Sequence, residues 1–436
     1  MKGHWYIIPE KPLKMLEEVG MGNIFLTKLD IVSVRHLHGI TIPLSDTVRK
    51  HLILTGKNGS GKTSTLESLK EHLEFIVSNE YESYGEAKRL YNFCKEMRDK
   101  SGEDEKGRHE KENHKKSMDM FARKLQHWES GAVSSCRSYS ELREKYKNGQ
   151  FLLAYYGDKR EFQVETYHSI EKVNLKPYYG LEEKPGSKLA KYLVDLKATK
   201  AFAKEQQLNG NTVEKIDRWF NRLEEMLKEI FSDPTLSLEF DVTSFQFTIR
   251  EAGHEAFDFN TLSSGYAAVL DIVNDLIMRM EAQARLRDGF DTEGIVLIDE
   301  IETHLHLELQ KRILPMLTKL FPNLQFIITT HSPFVLNSLE NAVIYDLEKN
   351  ILVKEGMQKL PYEGIVEGYF GADRLSDELR EKYERYVNLV NKKELTDAEY
   401  AEIDSLEYYL DEIPDYLAAE FTAEYNRLKL EFANRG

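Results

Sequence analysis

The stretch Gly56-Lys57-Asn58-Gly59-Ser60-Gly61-Lys62-Thr63 decides how the rest of this chain reads. It fits G-x-x-x-x-G-K-[ST] at every fixed position. An apolar run, His51–Thr55, leads into it, and Leu66, Leu69, Leu73 and Ile76 follow at helical spacing. The order is strand, glycine loop, helix. Glycines let backbone N–H groups converge on phosphate oxygens without Cβ clashes. The helix N-terminus adds a positive dipole end. In such a loop Lys62 reaches the β- and γ-phosphates of a nucleotide, and the Thr63 hydroxyl ligates Mg2+. Gly56, Asn58, Gly59, Ser60, Gly61, Lys62, Thr63 and Ser64 are the candidate nucleotide-binding residues. The competing reading, a glycine-rich turn that caps an ordinary helix, is disfavoured by the match on both flanks.

Downstream, the apolar strand Ile295–Ile298 ends in two carboxylates, Asp299 and Glu300. Asp299 is placed to hold Mg2+ through a water, which makes Thr63 and Asp299 the candidate metal ligands. Glu300, one residue on, is placed to polarise an attacking water. Alone this pattern is weak, because many buried strands end in a solvated acidic turn. Beside a phosphate loop it is much firmer. Leu262-Ser263-Ser264-Gly265 precedes an apolar helix upstream of this strand, and Thr330-His331-Ser332-Pro333 closes the buried strand Gln325–Thr329.

In this order the motifs resemble those of ABC-type ATPase heads, specifically the soluble SMC, RecF and OLD-like branch with its AbiEii-like domains. The strings DEIETHLH (299–306) and TTHSP (329–333) are typical of the OLD-like members. The resemblance covers about residues 24–76 and 236–346. It implies an α/β fold: an ABC-type P-loop ATPase head with a central mixed sheet flanked by helices, a short helical insertion and a C-terminal helical tail. It implies ATP and Mg2+ as cofactors, and Lys62, Glu300 and His331 as catalytic residues. It makes Leu262, Ser263, Ser264 and Gly265 the signature that contacts nucleotide, and Glu302–His306 the D-loop. Arg35, in Val34-Arg35-His36, sits where the branch carries an N-terminal Phe-Arg. In this family one subunit's signature closes over the nucleotide of another, so the resemblance implies ATP-sandwiched homodimers, with larger homo-oligomers open. Two positions depart from the family pattern: Ser264 replaces the second signature glycine, and Tyr266 replaces a Gln or Glu. Gln163 is the candidate Q-loop residue, and nearby Arg160 either touches phosphate or is solvated.

The domain expectations follow. Residues 1–23 form an N-terminal extension. Residues 24–77 form the N-terminal lobe of the head, with strands over Ile24–Leu44 turning near Gly39. Residues 78–150 are a charged helical insertion, 151–346 the C-terminal lobe, and 347–436 an acidic helical region. Residues 160–205 carry no clear pattern. His304-x-His306 beside the two carboxylates has the composition of a transition-metal site, but two histidines on a turn fit hydrogen bonding at a subunit interface better.

Composition narrows the classes. The chain has 436 residues and a formal net charge of −15, which argues against coating nucleic acid by bulk charge. Residues 373–436 hold 17 acidic and 9 basic residues, so that stretch contributes −8. It reads either as a partner-docking surface or as a solvated helical cap. Two cysteines cannot build a disulfide framework, and no apolar run approaches membrane-spanning length. A cytoplasmic protein without membrane contact is the expectation. The motifs resemble the ATPases of bacterial anti-phage systems such as Septu and PARIS, which hold a separate toxin or nuclease as effector. Alternatives are a RecF or SMC-like ATPase of DNA repair, and a self-contained OLD-like nuclease. The last is disfavoured because no two-metal acidic pattern follows Pro333.

Overall fold

The computed structural model describes residues 23–160, 169–206, 210–251, 253, 255–259, 261–283, 290–354, 377–392, 394–411 and 419–434. The chain divides into two compact units, with the boundary after Lys359.

The first unit opens with an antiparallel hairpin, β1 (Leu26–Val34) and β2 (Leu37–Pro43). β3 (His51–Thr55) then runs into the glycine loop, and α1 (Lys62–Val77) leaves it. α1 buries Thr65, Leu66, Leu69, Leu73 and Ile76, the face its spacing predicts. Two long helices, α2 (Glu80–Lys100) and α3 (Glu105–Trp128), pack on one another as an arm. The chain returns through β4 (Ala132–Cys136), α4 (Tyr139–Lys147) and β5 (Phe151–Tyr156).

A 3-10 turn (Pro185–Lys188) leads into α5 (Leu189–Glu205), followed by α6 (Gly210–Phe231). A small antiparallel sheet comprises β6 (Ser237–Asp241), β7 (Gln246–Arg250) and β8 (Phe257–Asp258). Then come α7 (Ser264–Gln283), β9 (Glu293–Ile298), α8 (Leu307–Leu320) and β10 (Leu324–Thr329). The unit's last elements are α9 (Pro333–Leu336), β11 (Ala342–Asp346) and β12 (Ile351–Val353).

The main sheet has the order β12-β11-β3-β10-β9-β5. All its pairings are parallel except β11 with β12. β3, β10 and β11 are buried at every residue, as unbroken apolar runs covered on both faces must be. The parallel pairing brings the ends of β3, β9 and β10 to one edge, where their following loops meet. This is the mixed sheet with flanking helices that the motifs implied.

Several boundaries differ from those read in the sequence. The β1–β2 turn is at Arg35-His36, and Gly39 lies inside β2 with φ 65°. The insertion is shorter than 78–150: β4 pairs with β1, and Leu142 and Tyr146 of α4 enter the main core. Only the α2–α3 arm stands apart in composition. Residues 160–205 contain α5, whose buried residues Tyr192–Leu196 are consecutive; a helix buried on several sides has no 3.6-residue stripe to read. β12 completes the main sheet, so the head extends past 346. Of the N-terminal extension, 1–23, residues 1–22 lie outside the described residues.

The second unit contains α10 (Asp377–Val390), α11 (Asp397–Asp411) and α12 (Ala419–Ala433). Tyr386, Leu389, Ile403, Leu410 and Tyr425 form its core. The two tyrosines meet edge to face at 5.3 Å. Their hydroxyls donate to Glu407 and Asp411 at 2.9 and 2.8 Å, so each buried phenol has a partner.

Candidate nucleotide-hydrolysis site

The glycine loop has the backbone that phosphate binding needs. Gly56, Gly59 and Gly61 have φ of 134°, 82° and 96°, a region that side chains disfavour. Space is limited as well: a Cβ on Gly61 would lie 2.8 Å from Leu37 Cδ1, and one on Gly56 2.8 Å from Ser60 Oγ. The Lys62 ammonium folds back onto its own loop, donating to the carbonyls of Gly56 at 2.8 Å and Lys57 at 3.1 Å. Burial lowers the Lys62 pKa, while Glu300, Glu302, Asp299 and Asp346 oppose that shift. Ser60 Oγ is buried without a hydrogen-bond partner, which suits a loop whose polar groups await phosphate oxygens.

An open cleft beside this loop is lined by His36, Leu37 and Thr41 of the hairpin, Lys57–Ser60, and Tyr345 and Glu348. Lys57 is tied to Glu348 by an ion pair of 3.1 Å. Gly61 neighbours Leu37 and His36, so the hairpin tip does approach the phosphate loop. Arg35 itself is exposed at the turn with φ 51°.

The carboxylates after β9 do not line that cleft; they follow a strand two places from β3 in the sheet. Asp299 is 1% exposed; its Oδ1 accepts from Thr329 Oγ1 at 2.5 Å. Thr329 Oγ1 in turn accepts from the Glu300 N–H at 2.7 Å. One hydroxyl at the end of β10 thus orients both acidic residues. Glu300 has φ 43° and His304 φ 68°, and left-handed backbone is costly outside glycine. Glu302 accepts from Thr330 Oγ1 at 2.7 Å and from the His331 N–H at 2.5 Å, which fixes the start of the His331 loop. Burial lowers the His331 pKa first and the Lys62 charge second, against Glu302, Glu300 and Asp299. A neutral imidazole at pH 7 follows.

Lys62, Asp299, Glu300 and His331 therefore share one electrostatic neighbourhood. Thr63, exposed at the start of α1, and Asp299 fit the manner in which Mg2+ is held, by few protein oxygens plus phosphate. Among the described residues no group of three or more His, Cys, Asp or Glu could hold a metal on its own. His306 caps α8, its Nδ1 accepting from the Leu309 N–H, and it meets the Tyr266 ring edge on.

The signature candidate, Leu262–Gly265, lies at the start of α7. Ser263 and Ser264 are exposed at the start of α7. Ser263 lines a cleft with Phe231, Thr235, Thr261, Leu262 and Tyr266. Among the described residues it shares none with the cleft beside the phosphate loop. Tyr266 stacks on Phe231 at 4.5 Å. A Cβ on Gly265 would come within 3.2 Å of the His304 carbonyl oxygen, so this glycine lets α7 pack against the turn after β9.

Arg160 is neither solvated nor placed by any contact with the phosphate loop. It is 8% exposed and donates to the carbonyl oxygens of Asp299 (2.6 Å), Glu300 (2.8 Å) and Ile301 (3.0 Å). Thr329 begins the TTHSP string, but the motifs give its hydroxyl no role in the site. Gln163 lies outside the described residues.

Residues 140–337 match the family model described as "AAA domain, putative AbiEii toxin, Type IV TA system", in agreement with the AbiEii-like resemblance of the motifs. The matched span includes the signature, the strand with Asp299 and Glu300, and His331. The chain is 35% identical to the Septu protein PtuA of Bacillus mycoides over 34% of this chain and 21% of that protein. It is 25% identical to the Retron Vc95 probable ATPase of Vibrio cholerae over 67% of this chain and 68% of that protein. The aligned part is thus about a fifth of the length of the Septu protein. A solved SMC head bound to the C-winged helix domain of ScpA is similar with a TM-score of 0.37 and 13% identity, over 77% of this chain and 99% of that chain. Residues 140–337 are thus similar to the AbiEii-like AAA domain, a span that begins after the glycine loop. No helix among the described residues is long and apolar enough to cross a membrane.

Proposed function

We propose that this protein binds and hydrolyses ATP between two copies of its head, and that it serves as the ATPase subunit of an anti-phage system controlling a separate effector. The observation that carries the ATPase reading is the meeting of Lys62, Asp299, Glu300 and His331 at one sheet edge beside a glycine loop. Bound Mg2+, held by Thr63 and Asp299, would offset charge on the phosphates. Lys62 exchanges its own loop carbonyls for phosphate oxygens. Glu300 accepts the proton of the attacking water, and neutral His331 donates a hydrogen bond to the terminal phosphate.

Dimerisation is supported by the separation of the signature from the phosphate loop within one chain. Exposed Ser263 and Ser264 at a helix N-terminus suit an anion supplied by a second head across a two-fold axis. The defence role rests on similarity to the Septu and retron proteins. The acidic second unit or the α2–α3 arm is the candidate effector dock. A RecF-like role in repair would need a basic groove, and the net charge of −15 weighs against it.

Steady-state ATP hydrolysis by wild type, Lys62→Ala and Glu300→Gln tests the site. Both variants are expected to lose at least about 100-fold. Unchanged turnover in both would sink the assignment. Glu300→Gln with ATP should also elute as a dimer or larger species on a sizing column, and a monomer there would remove the cross-subunit model.

A further inference from the structure

Arg160 is a buried charge whose hydrogen bonds, among the described residues, all go to main chain outside its own loop. It lies four residues beyond β5, outside every motif. Its two terminal nitrogens reach three successive carbonyls, those of Asp299, Glu300 and Ile301. These belong to the turn that presents Glu300. The turn adopts a conformation its side chains disfavour, with Glu300 at φ 43°. Such a backbone persists only where its surroundings over-determine it.

The surroundings can be enumerated. The Asp299 N–H donates to the Tyr156 carbonyl at 2.7 Å, and the Ile301 N–H to the Thr329 carbonyl at 3.2 Å. The Glu300 N–H donates to Thr329 Oγ1. Donors on the turn are thus taken by β5 and β10, while its carbonyls are taken by Arg160, the Glu300 carbonyl being shared with the Thr303 N–H at 2.9 Å; Thr303 Oγ1 also donates to the Glu300 carboxylate at 3.4 Å. Three carbonyl dipoles pointing at one site repel one another, and a buried cation between them removes that repulsion. A planar guanidinium spans them, because its donors are fixed in a fork. Tyr156 ties the same segment to the signature helix, its hydroxyl donating to Asp275 Oδ2 at 2.8 Å. Asp275 also pairs with Arg279 at 2.7 Å, both fully buried.

We propose that Arg160 is a positioning residue for hydrolysis: it holds the Asp299–Ile301 turn so that the Glu300 carboxylate faces the water to be activated. This rests on the ATPase reading above and adds a residue that the motifs do not contain. Arg160 makes no contact with nucleotide. Its loss therefore lowers the rate of the chemical step and leaves ATP affinity in place.

The test is a kinetic cycle. Arg160→Met should lower kcat about tenfold or more, with KM and the affinity for a fluorescent ATP analogue within about threefold of wild type. Arg160→Lys keeps the charge but not the fork, and should fall between the two. In a Glu300→Gln background, Arg160→Met should cause no further loss, since it acts through Glu300. If Arg160→Met does not fold, as judged by its melting curve, Arg160→Lys carries the same cycle. Wild-type kcat in a folded Arg160 variant overturns the proposal, as does a loss that adds in full to that of Glu300→Gln. So does a loss of ATP affinity with kcat retained. A dead Glu300→Gln beside an active Arg160→Met refutes this inference alone, whereas an active Glu300→Gln refutes the ATPase reading itself.

Discussion

The two loops that make the site solve one problem in opposite ways. Both need left-handed backbone. The phosphate loop obtains it from glycine, at Gly56, Gly59 and Gly61. The turn after β9 obtains it from Glu300 and His304, residues that resist it. Glycine loops carry their geometry in their own sequence. The acidic turn borrows its geometry from residues far away in the chain, Arg160 and Thr329. The first loop is therefore locally encoded, and the second is enforced by tertiary contacts.

The sharpest way to break the contrast is to give the phosphate loop a side chain. Gly61→Val adds a branched group at φ 96°, against Leu37. ATP-analogue binding should fall by on the order of 100-fold, because displacement of about an ångström in a positioned site costs that much. Binding within about threefold of wild type would show that the loop tolerates a side chain at this position.

The frame beneath the phosphate loop should be sensitive to pH. His51 of β3 accepts from the Phe326 N–H at 3.0 Å, and His72 of α1 sits against Ser134. Burial pushes both down to about 4. The unfolded chain then binds more protons below about pH 6.5, so this contribution is complete above that pH and is lost as pH falls toward 4. Urea midpoints at pH 7 and 5 should differ by about 1–3 kcal/mol in stability, and His51→Gln should shrink the gap. An unchanged gap would exclude His51 as a source.

Thr329→Val attacks the acidic turn from its support. It strands the Glu300 N–H and removes a partner from Asp299, at a cost of about 1–3 kcal/mol readable by urea unfolding, with slower hydrolysis. A stability equal to wild type would mean that the turn holds itself.

His304→Gly is the smallest change and has the opposite sign. It relieves a left-handed non-glycine residue and should raise stability by up to about 1 kcal/mol, reduced by glycine's greater freedom when unfolded. A clear loss in thermal melting would show that the histidine side chain stabilises the turn by more than its backbone costs.

This contrast also explains what the sequence disclosed. The phosphate loop, the buried strands β3, β9 and β10, and α1 were legible because glycine spacing and apolar runs are local signals. Arg160 was not, since nothing near Gly157–Lys159 indicates that the next side chain turns inward under a strand met 140 residues later. α5 was hidden by burial on several sides, and β4 by its mixed Ala-Val-Ser-Ser-Cys composition. The hairpin turn was misplaced because Gly39 is the residue that usually marks one, while Arg35 took the left-handed position.

The strand order has a consequence for synthesis. β3 ends at Thr55, yet both of its neighbours, β10 and β11, are encoded after residue 320. At roughly 5–20 residues per second on the ribosome, β3 is made roughly 15–60 seconds before β11 is complete. The glycine loop is thus translated well before the strands that flank β3. A nascent chain halted between Thr63 and Leu324 would carry the whole glycine loop with neither neighbour of β3 to hold it.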